Sequence, residues 1–366
     1  MNKLIKPFAI VCMFLIVSQI FLVSAAVAVD FWETKASMLT VRAGCGSVAA
    51  SNGLIYTIGG RNWTAFSSSE FVGINEAYNP VTDTWVVKQS MPTCREDFGI
   101  VSYQNKIYAI GGRTGFNAEE ITGINEVYDV ETDTWETKTP MPTAREYMCV
   151  EVVNGKIYVI GGVNLLSSEP PYMLNVIEVY DVETDTWSSR SSLPFNILCY
   201  TSAVMDNKIY IIADAGPVIL TLIYDAEADL LSYGAPIATS SGVVVCATTG
   251  ERAPKRLYVI GGGSDANKVQ IYDPGTETFT VGAPMPTNRS FSSVAVMNDR
   301  IYVIGGLGSD GDCAFVANEV YTPAGYNAVP LSTSITVWVT ILVAVAISLM
   351  LIGIINHVTR TKTRTA

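Results

Sequence analysis

The chain is nearly without histidine: one in 366 residues, His357, close to the carboxyl terminus. A Ser-His-Asp triad, a Cys-His dyad or a histidine metal centre within the bulk of the chain is thereby excluded. Charge is also sparse, at 16% Asp, Glu, Lys and Arg, and basic residues are the scarcer kind, 23 against 34 acidic. All the acidic residues fall between Asp30 and Glu319; in that span 18 basic residues oppose them, a net charge of about −16. Such a surface repels polyphosphates, so nucleic acid and anionic lipid are not expected partners.

Hydrophobic residues are abundant, 49%, and two runs stand apart. FAIVCMFLIVSQIFLV (8–23) follows Lys3 and Lys6 and precedes SAAVA, the layout of a secretory signal cleaved after Ala28. ITVWVTILVAVAISLMLIGII (335–355) holds no charge and is followed by Arg360, Lys362 and Arg364. As a helix it would reach about 30 Å, one bilayer core, with the basic side cytoplasmic. The expected layout is a signal at 1–28, an exported domain at 29–327, a stalk at 328–334, a membrane helix at 335–355 and a cytoplasmic tail at 356–366. The protein is thus expected at the cell membrane, single-pass, with its amino-terminal domain outside.

Between those runs the sequence repeats. IYTIGG (55–60), IYAIGG (107–112), IYVIGG (157–162), IYIIAD (209–214), LYVIGG (257–262) and IYVIGG (301–306) start 44 to 52 residues apart. Each is short, β-branched and apolar throughout, as a strand covered on both faces must be. Tyr78, Tyr128, Tyr180, Tyr224 and Tyr272 follow, and seven residues beyond each stands Trp85, Trp135, Trp187, Leu231 or Phe279. The intervening N/D-x-x-T-D-T is turn chemistry, so DVETDTW reads as a hairpin corner. Each unit is therefore four strands, and only radial stacking covers both faces of such sheets. The sixth unit lacks its outer strand after Tyr321, whereas Trp32 precedes Met38 by the six residues that separate Trp85 from Met91. The mature amino terminus is expected to supply the missing strand.

These residues resemble the kelch repeat: Gly59-Gly60, Gly111-Gly112, Gly161-Gly162, Gly261-Gly262 and Gly305-Gly306 after apolar strands, then the spaced Tyr and Trp. The resemblance covers residues 31–321 and implies an all-β, six-bladed propeller. It leaves function open, since such propellers include binding modules, cytoskeletal proteins and some enzymes. The copper centre of kelch-containing oxidases is not expected without histidine.

Arg42, Arg95, Arg145 and Arg289 open four inner strands and are read as a rim of cations on the long-loop face. Blades with that Arg carry Glu76, Glu126, Glu178 or Glu319 two residues before Tyr; the two without it have Ile197 with Leu222 and Ser241 with Gln270. The matched presence predicts an Arg–Glu bridge inside each blade, which leaves open a second role in gripping a carboxylate.

Long connections at 62–75, 113–125, 163–175 and 307–318 carry Trp63, Phe66, Phe116, Leu165, Leu166 and Tyr172 as apolar anchors. With thirteen residues between Tyr321 and the membrane run, this face is expected to look outward. The leading expectation is a non-enzymatic binding propeller for a protein or glycan, with no cofactor. The alternative is a sugar-active enzyme resembling the bacterial kelch propeller that epimerises sialic acid, with Glu96, Asp97 and Glu146 as acid and base. The sialidase pattern S-x-D-x-G-x-T-W is absent. Asp310 and Asp312 are too few for a calcium cage. Cys45, Cys149, Cys199 and Cys246 are read as buried thiols, with a Cys149–Cys199 bridge between neighbouring blades left open. Asn62-Trp-Thr and Asn288-Arg-Ser match the glycosylation pattern.

Overall fold

The Gly-Gly segments form the second strand of every sheet. Ile55–Ile58 and its counterparts are buried at almost every position, because a neighbouring blade covers each face. Glycine follows for a conformational reason: Gly59 and Gly60 have φ of +64° and +92°, and a Cβ on Gly60 would lie 2.6 Å from the Ala43 carbonyl oxygen. A computed structural model describes residues 29–62, 70–117, 120–165, 172–215, 219–237, 244–262, 266–308 and 314–328.

Six four-stranded antiparallel sheets stand in a circle. The inner strands are Gly46–Ala49, Gly99–Tyr103, Cys149–Val153, Leu198–Met205, Val244–Thr249 and Ser293–Met297, numbered here as blades one to six. In each of blades one to five the chain runs from the inner strand outward. Blade six has only three strands of its own, and Phe31–Thr34 completes it by pairing antiparallel with Asn318–Thr322, Trp32 opposite Tyr321. The expected ring closure is thus observed.

The repeated heptapeptide is the corner between third and outer strands. Asp129 accepts backbone N–H bonds from Glu131 and Thr132 at 2.9 and 3.0 Å, turning the chain. Asp133 then takes a left-handed φ of 57° and accepts the Tyr128 hydroxyl at 2.7 Å and the Gln89 N–H of blade one at 2.8 Å. The Trp135 indole donates to the Gln89 carbonyl at 2.9 Å and its ring lies 5.2 Å from Tyr128. One corner therefore fastens its own hairpin and the preceding blade. Blade six ends before any such Asp, and Asp30 substitutes: it accepts the Tyr321 hydroxyl and the Ala283 N–H of blade five, the latter at 2.6 Å. Trp32 likewise donates to the Ala283 carbonyl at 2.8 Å.

Two corrections concern buried groups. Cys149 and Cys199, read as thiols, form a disulfide joining the inner strands of blades three and four; Cys45 and Cys246 are buried thiols as expected, and Cys94 is exposed. The four arginines lie inside the blades and not on the rim: Arg42, Arg95, Arg145 and Arg289 are at most 1% exposed. The expected signal at 1–28, the loop residues Trp63, Phe66 and Leu166, Asp310, Asp312, and the segments after 328 expected to form a stalk, a membrane helix and a tail lie outside the described residues. No helix among the described residues is long and apolar enough to cross a membrane.

Candidate functional site

Each buried arginine bridges the second and third strands of its own blade. Arg145 Nη1 reaches Glu178 Oε2 at 2.7 Å and its Nη2 donates to the Val159 carbonyl at 3.2 Å. The second oxygen of Glu178 accepts the Thr143 hydroxyl at 2.9 Å. Arg42–Glu76 with Thr40, Arg95–Glu126 with Thr93, and Arg289–Glu319 with Thr287 repeat this set. The Thr-x-Arg pattern preceding the inner strands of blades one, two, three and six was the signal for the hydroxyl, and the sequence reading missed it. Blade four replaces the ionic pair by Ile197 and Leu222, both fully buried. Paired this way, the guanidinium groups serve packing within the blade and present no surface to a ligand.

The groups that do reach the long-loop face come from the residue after Gly-Gly. Arg61 and Arg113 are placed there by short antiparallel bridges, Ala43 to Arg61 and Glu96 to Arg113. Arg113 donates from Nε and Nη2 to Glu96 Oε1 at 3.1 and 2.8 Å, and its Nε is 3.4 Å from Glu146 Oε2 and 3.8 Å from Asp97 Oδ2. Arg61 Nε lies 3.4 Å from the other oxygen of Glu96. The three carboxylates of the enzymatic alternative are therefore brought together around one guanidinium. Neither arginine was singled out in the sequence, although Gly-Gly-Arg occurs only at these two places. They became neighbours of the carboxylates through packing of adjacent blades, which spacing along the chain does not reveal.

A cleft of about 250 Å³ opens here, lined by Ala43, Gly44, Arg61, Glu96, Asp97, Arg113, Tyr147, Phe291 and Leu307. Its floor is a relay of backbone bonds between blades: Gly44 N to Phe291 O, Asp97 N to Gly44 O, Tyr147 N to Asp97 O and Cys199 N to Tyr147 O, at 3.1 to 3.4 Å. Gly44, Asp97, Tyr147 and Phe291 all have left-handed φ, between 50° and 64°. Only glycine adopts this without cost; for Tyr and Phe it is strain of the kind that concentrates at functional sites.

Burial, then the charge of Glu96, pushes the Asp97 carboxyl up to about 8, opposed by a hydrogen bond from Tyr147. Burial also raises Glu146, with Arg113 opposing. Burial works against the charge on Arg113, but the surrounding carboxylates outweigh it and hold the guanidinium more basic than usual. Burial and the neighbouring Glu96 carboxylate thus favour the protonated form of Asp97 more than that of an ordinary carboxyl.

Beside the cleft, Phe116 is 60% exposed. Its ring meets Phe71 edge-on at 5.1 Å and lies 5.2 Å from the Arg61 guanidinium and 5.9 Å from that of Arg113. Tyr172 and Leu165 are exposed on the corresponding loop of blade three. Among the described residues no cluster of His, Cys, Asp and Glu is arranged to hold a metal ion.

Two family models match: the FKB95, Kelch-repeats domain over residues 89–229 and the Kelch motif over residues 42–92. Kelch repeat and BTB domain-containing protein 12 of Homo sapiens is 30% identical over 158 residues, which is 41% of this chain and 19% of that protein. Kelch-like protein 36 of Rattus norvegicus is 23% identical over 301 residues, 78% of this chain and 40% of that protein. The chain thus spans well under half the length of these relatives. In the solved structure of YjhT the same fold recurs, with a TM-score of 0.61 at 16% identity over 77% of this chain and 95% of that one. With the blade geometry, the Gly-Gly strands and the matched repeats in agreement, this chain belongs to the kelch-repeat β-propeller family.

Proposed function

We propose that this protein is a membrane-tethered, extracellular binding propeller that takes a protein or glycan on its long-loop face. The observation that carries this reading is Phe116, a large apolar ring left in solvent between two arginines at the lip of a polar cleft. An aromatic anchor ringed by charged groups is the usual make-up of a binding hot spot. The disulfide between blades three and four supports export, since such bonds persist in oxidising compartments. The apolar runs at 8–23 and 335–355 support a cleaved signal and a single anchor. Full-length protein applied to glycan arrays, and cross-linked to surface proteins on intact cells, should give a signal that Phe116→Ala lowers at least tenfold. An unchanged signal in that variant refutes the assignment of the face. Amino-terminal sequencing should begin at Val29, and carbonate extraction should leave the protein in membranes.

A second reading is favoured by the crowding of Asp97 against Glu96 and Glu146. A neutral acid beside an ion-paired carboxylate is equipped to move a proton at a sugar's anomeric centre. It requires that full-length protein speed anomeric exchange of a sugar by NMR and that Asp97→Asn abolish the effect.

A further inference from the structure

The propeller axis holds a second cavity, distinct from the long-loop cleft. The six inner strands enclose about 480 Å³, a volume suited to a small organic molecule. Its wall alternates hydroxyls with aliphatic groups, Ser47, Ser102, Thr201 and Ser293 among Val150 and Val245. Among the described residues lining it, one side chain is charged: Glu151, on the inner strand of blade three. The Ser202 hydroxyl of blade four donates to its Oε1 at 2.8 Å. A carboxylate accepts about four hydrogen bonds, and this is the one that Glu151 accepts among the described residues.

Access differs between the two ends. At the long-loop end the backbone relay through Phe291, Gly44, Asp97, Tyr147 and Cys199 girdles the axis across five blades. At the short-turn end the channel shares Ala49, Val204, Thr248 and Val296 with a funnel of about 930 Å³. That funnel carries Glu251, Asp206 paired with Lys255 at 2.5 Å, and Asp299, a buried carboxylate whose Oδ2 accepts the N–H groups of Gly250, Glu251, Arg252 and Ala253. An acidic mouth leading to a single uncompensated carboxylate concentrates cations.

We propose that the central channel binds a small organic ammonium ion, entering from the short-turn face and donating its N–H groups to Glu151 and the surrounding hydroxyls. A metal ion fits less well. Calcium takes six to eight oxygens at about 2.3–2.6 Å, whereas here one carboxylate stands among hydroxyls spread round the wall, and no metal-binding cluster occurs among the described residues. The aliphatic stripes between the hydroxyls suit the hydrocarbon part of an amine. Burial raises the Glu151 carboxyl to about 7, the Ser202 hydrogen bond opposing, so the binding form grows with pH. The titratable groups around it are Tyr158 opposite on its own blade, Tyr200 on blade four and Cys246 on blade five.

The test is calorimetric titration of full-length protein with cyclohexylamine, charged throughout the range used, and with its neutral counterpart cyclohexanol. Cyclohexylamine should saturate one site at pH 8 and bind about tenfold more weakly at pH 6, following the ionised fraction of a carboxyl near 7. Cyclohexanol should not bind, and Glu151→Gln should abolish amine binding while unfolding at the wild-type temperature or above. Should that variant fail to fold, the pH dependence in the wild type and a loss of affinity in Ser202→Ala decide. Equal binding of cyclohexanol, binding unchanged in Glu151→Gln, or displacement by sodium but not by methylammonium overturns the proposal. The site is independent of the long-loop cleft, so Phe116→Ala should leave it intact.

Discussion

Removal of the Glu126 carboxylate tests the blade-internal ion pair in its simplest form. Glu126→Gln leaves Arg95, with no exposed surface, facing a neutral amide, and deprives the Thr93 hydroxyl of a charged acceptor. Breaking a buried pair by one partner costs about 3–5 kcal/mol, because the remaining charge stays desolvated. In a domain of this size 1 kcal/mol corresponds to roughly 2–4 °C, so the melting temperature should fall by about 10 °C. Differential scanning calorimetry reads this directly. The double variant Arg95→Ile with Glu126→Leu copies the apolar pair that blade four already has in Ile197 and Leu222, and should recover most of the loss. As a control, Lys106→Ala breaks an exposed pair with Glu136 at 3.2 Å and should cost under about 1 kcal/mol. A Glu126→Gln protein that melts within 2 °C of wild type, or a double variant worse than the single, would refute the reasoning that the pair is retained as a matched set.

Asp97 sets a pH dependence of opposite sign to that of the corner aspartates. Its carboxyl is raised on folding, so the native state binds more protons than the unfolded chain between about pH 4 and pH 8 and stability falls as pH rises through that window. Thermal melts of Asp97→Asn should therefore match wild type near pH 4 and exceed it at pH 8. Asp83 is lowered chiefly by the Ala36 N–H, and Asp133 by the Tyr128 hydroxyl against the cost of burial. The stability they add is present above the unfolded value near 4 and lost as pH falls below it; Asp133→Asn should flatten the acid limb of the melting profile. The Cys149–Cys199 bridge closes a loop with a sequence separation of 50. Chain entropy assigns it about 4 kcal/mol, which urea titration of Cys149→Ala with Cys199→Ala should show as a loss of that order at most.

The architecture was legible because repetition makes it redundant. Six apolar strands, five corners and a displaced Trp32 all pointed to one arrangement, and each corner performs the same physical task in the structure. Even the pairing of Arg with Glu could be read, since blades four and five lack both partners. What escaped reading was depth and adjacency between blades. The arginines are inside because Glu and a backbone carbonyl draw the guanidinium inward, a preference that the rim position of the Cα does not express. Arg61, Arg113 and Glu146 meet across three blades, and the strained φ at Tyr147 and Phe291 belongs to residue types that give no warning of it. Nothing in the spacing marks Glu151; it stands out only through the channel, where no other charge occurs among the described lining.

Closure of the circle by Phe31–Thr34 is the central claim, and hydrogen exchange measures it most directly. Peptides spanning Phe31–Thr34 and Asn318–Thr322 should be protected together, to the level of Thr134–Lys138 in blade two, and Trp32→Ala should release both at once. Exchange of the Phe31–Thr34 amides at the rate of an unstructured chain, with Asn318–Thr322 still protected, would contradict it.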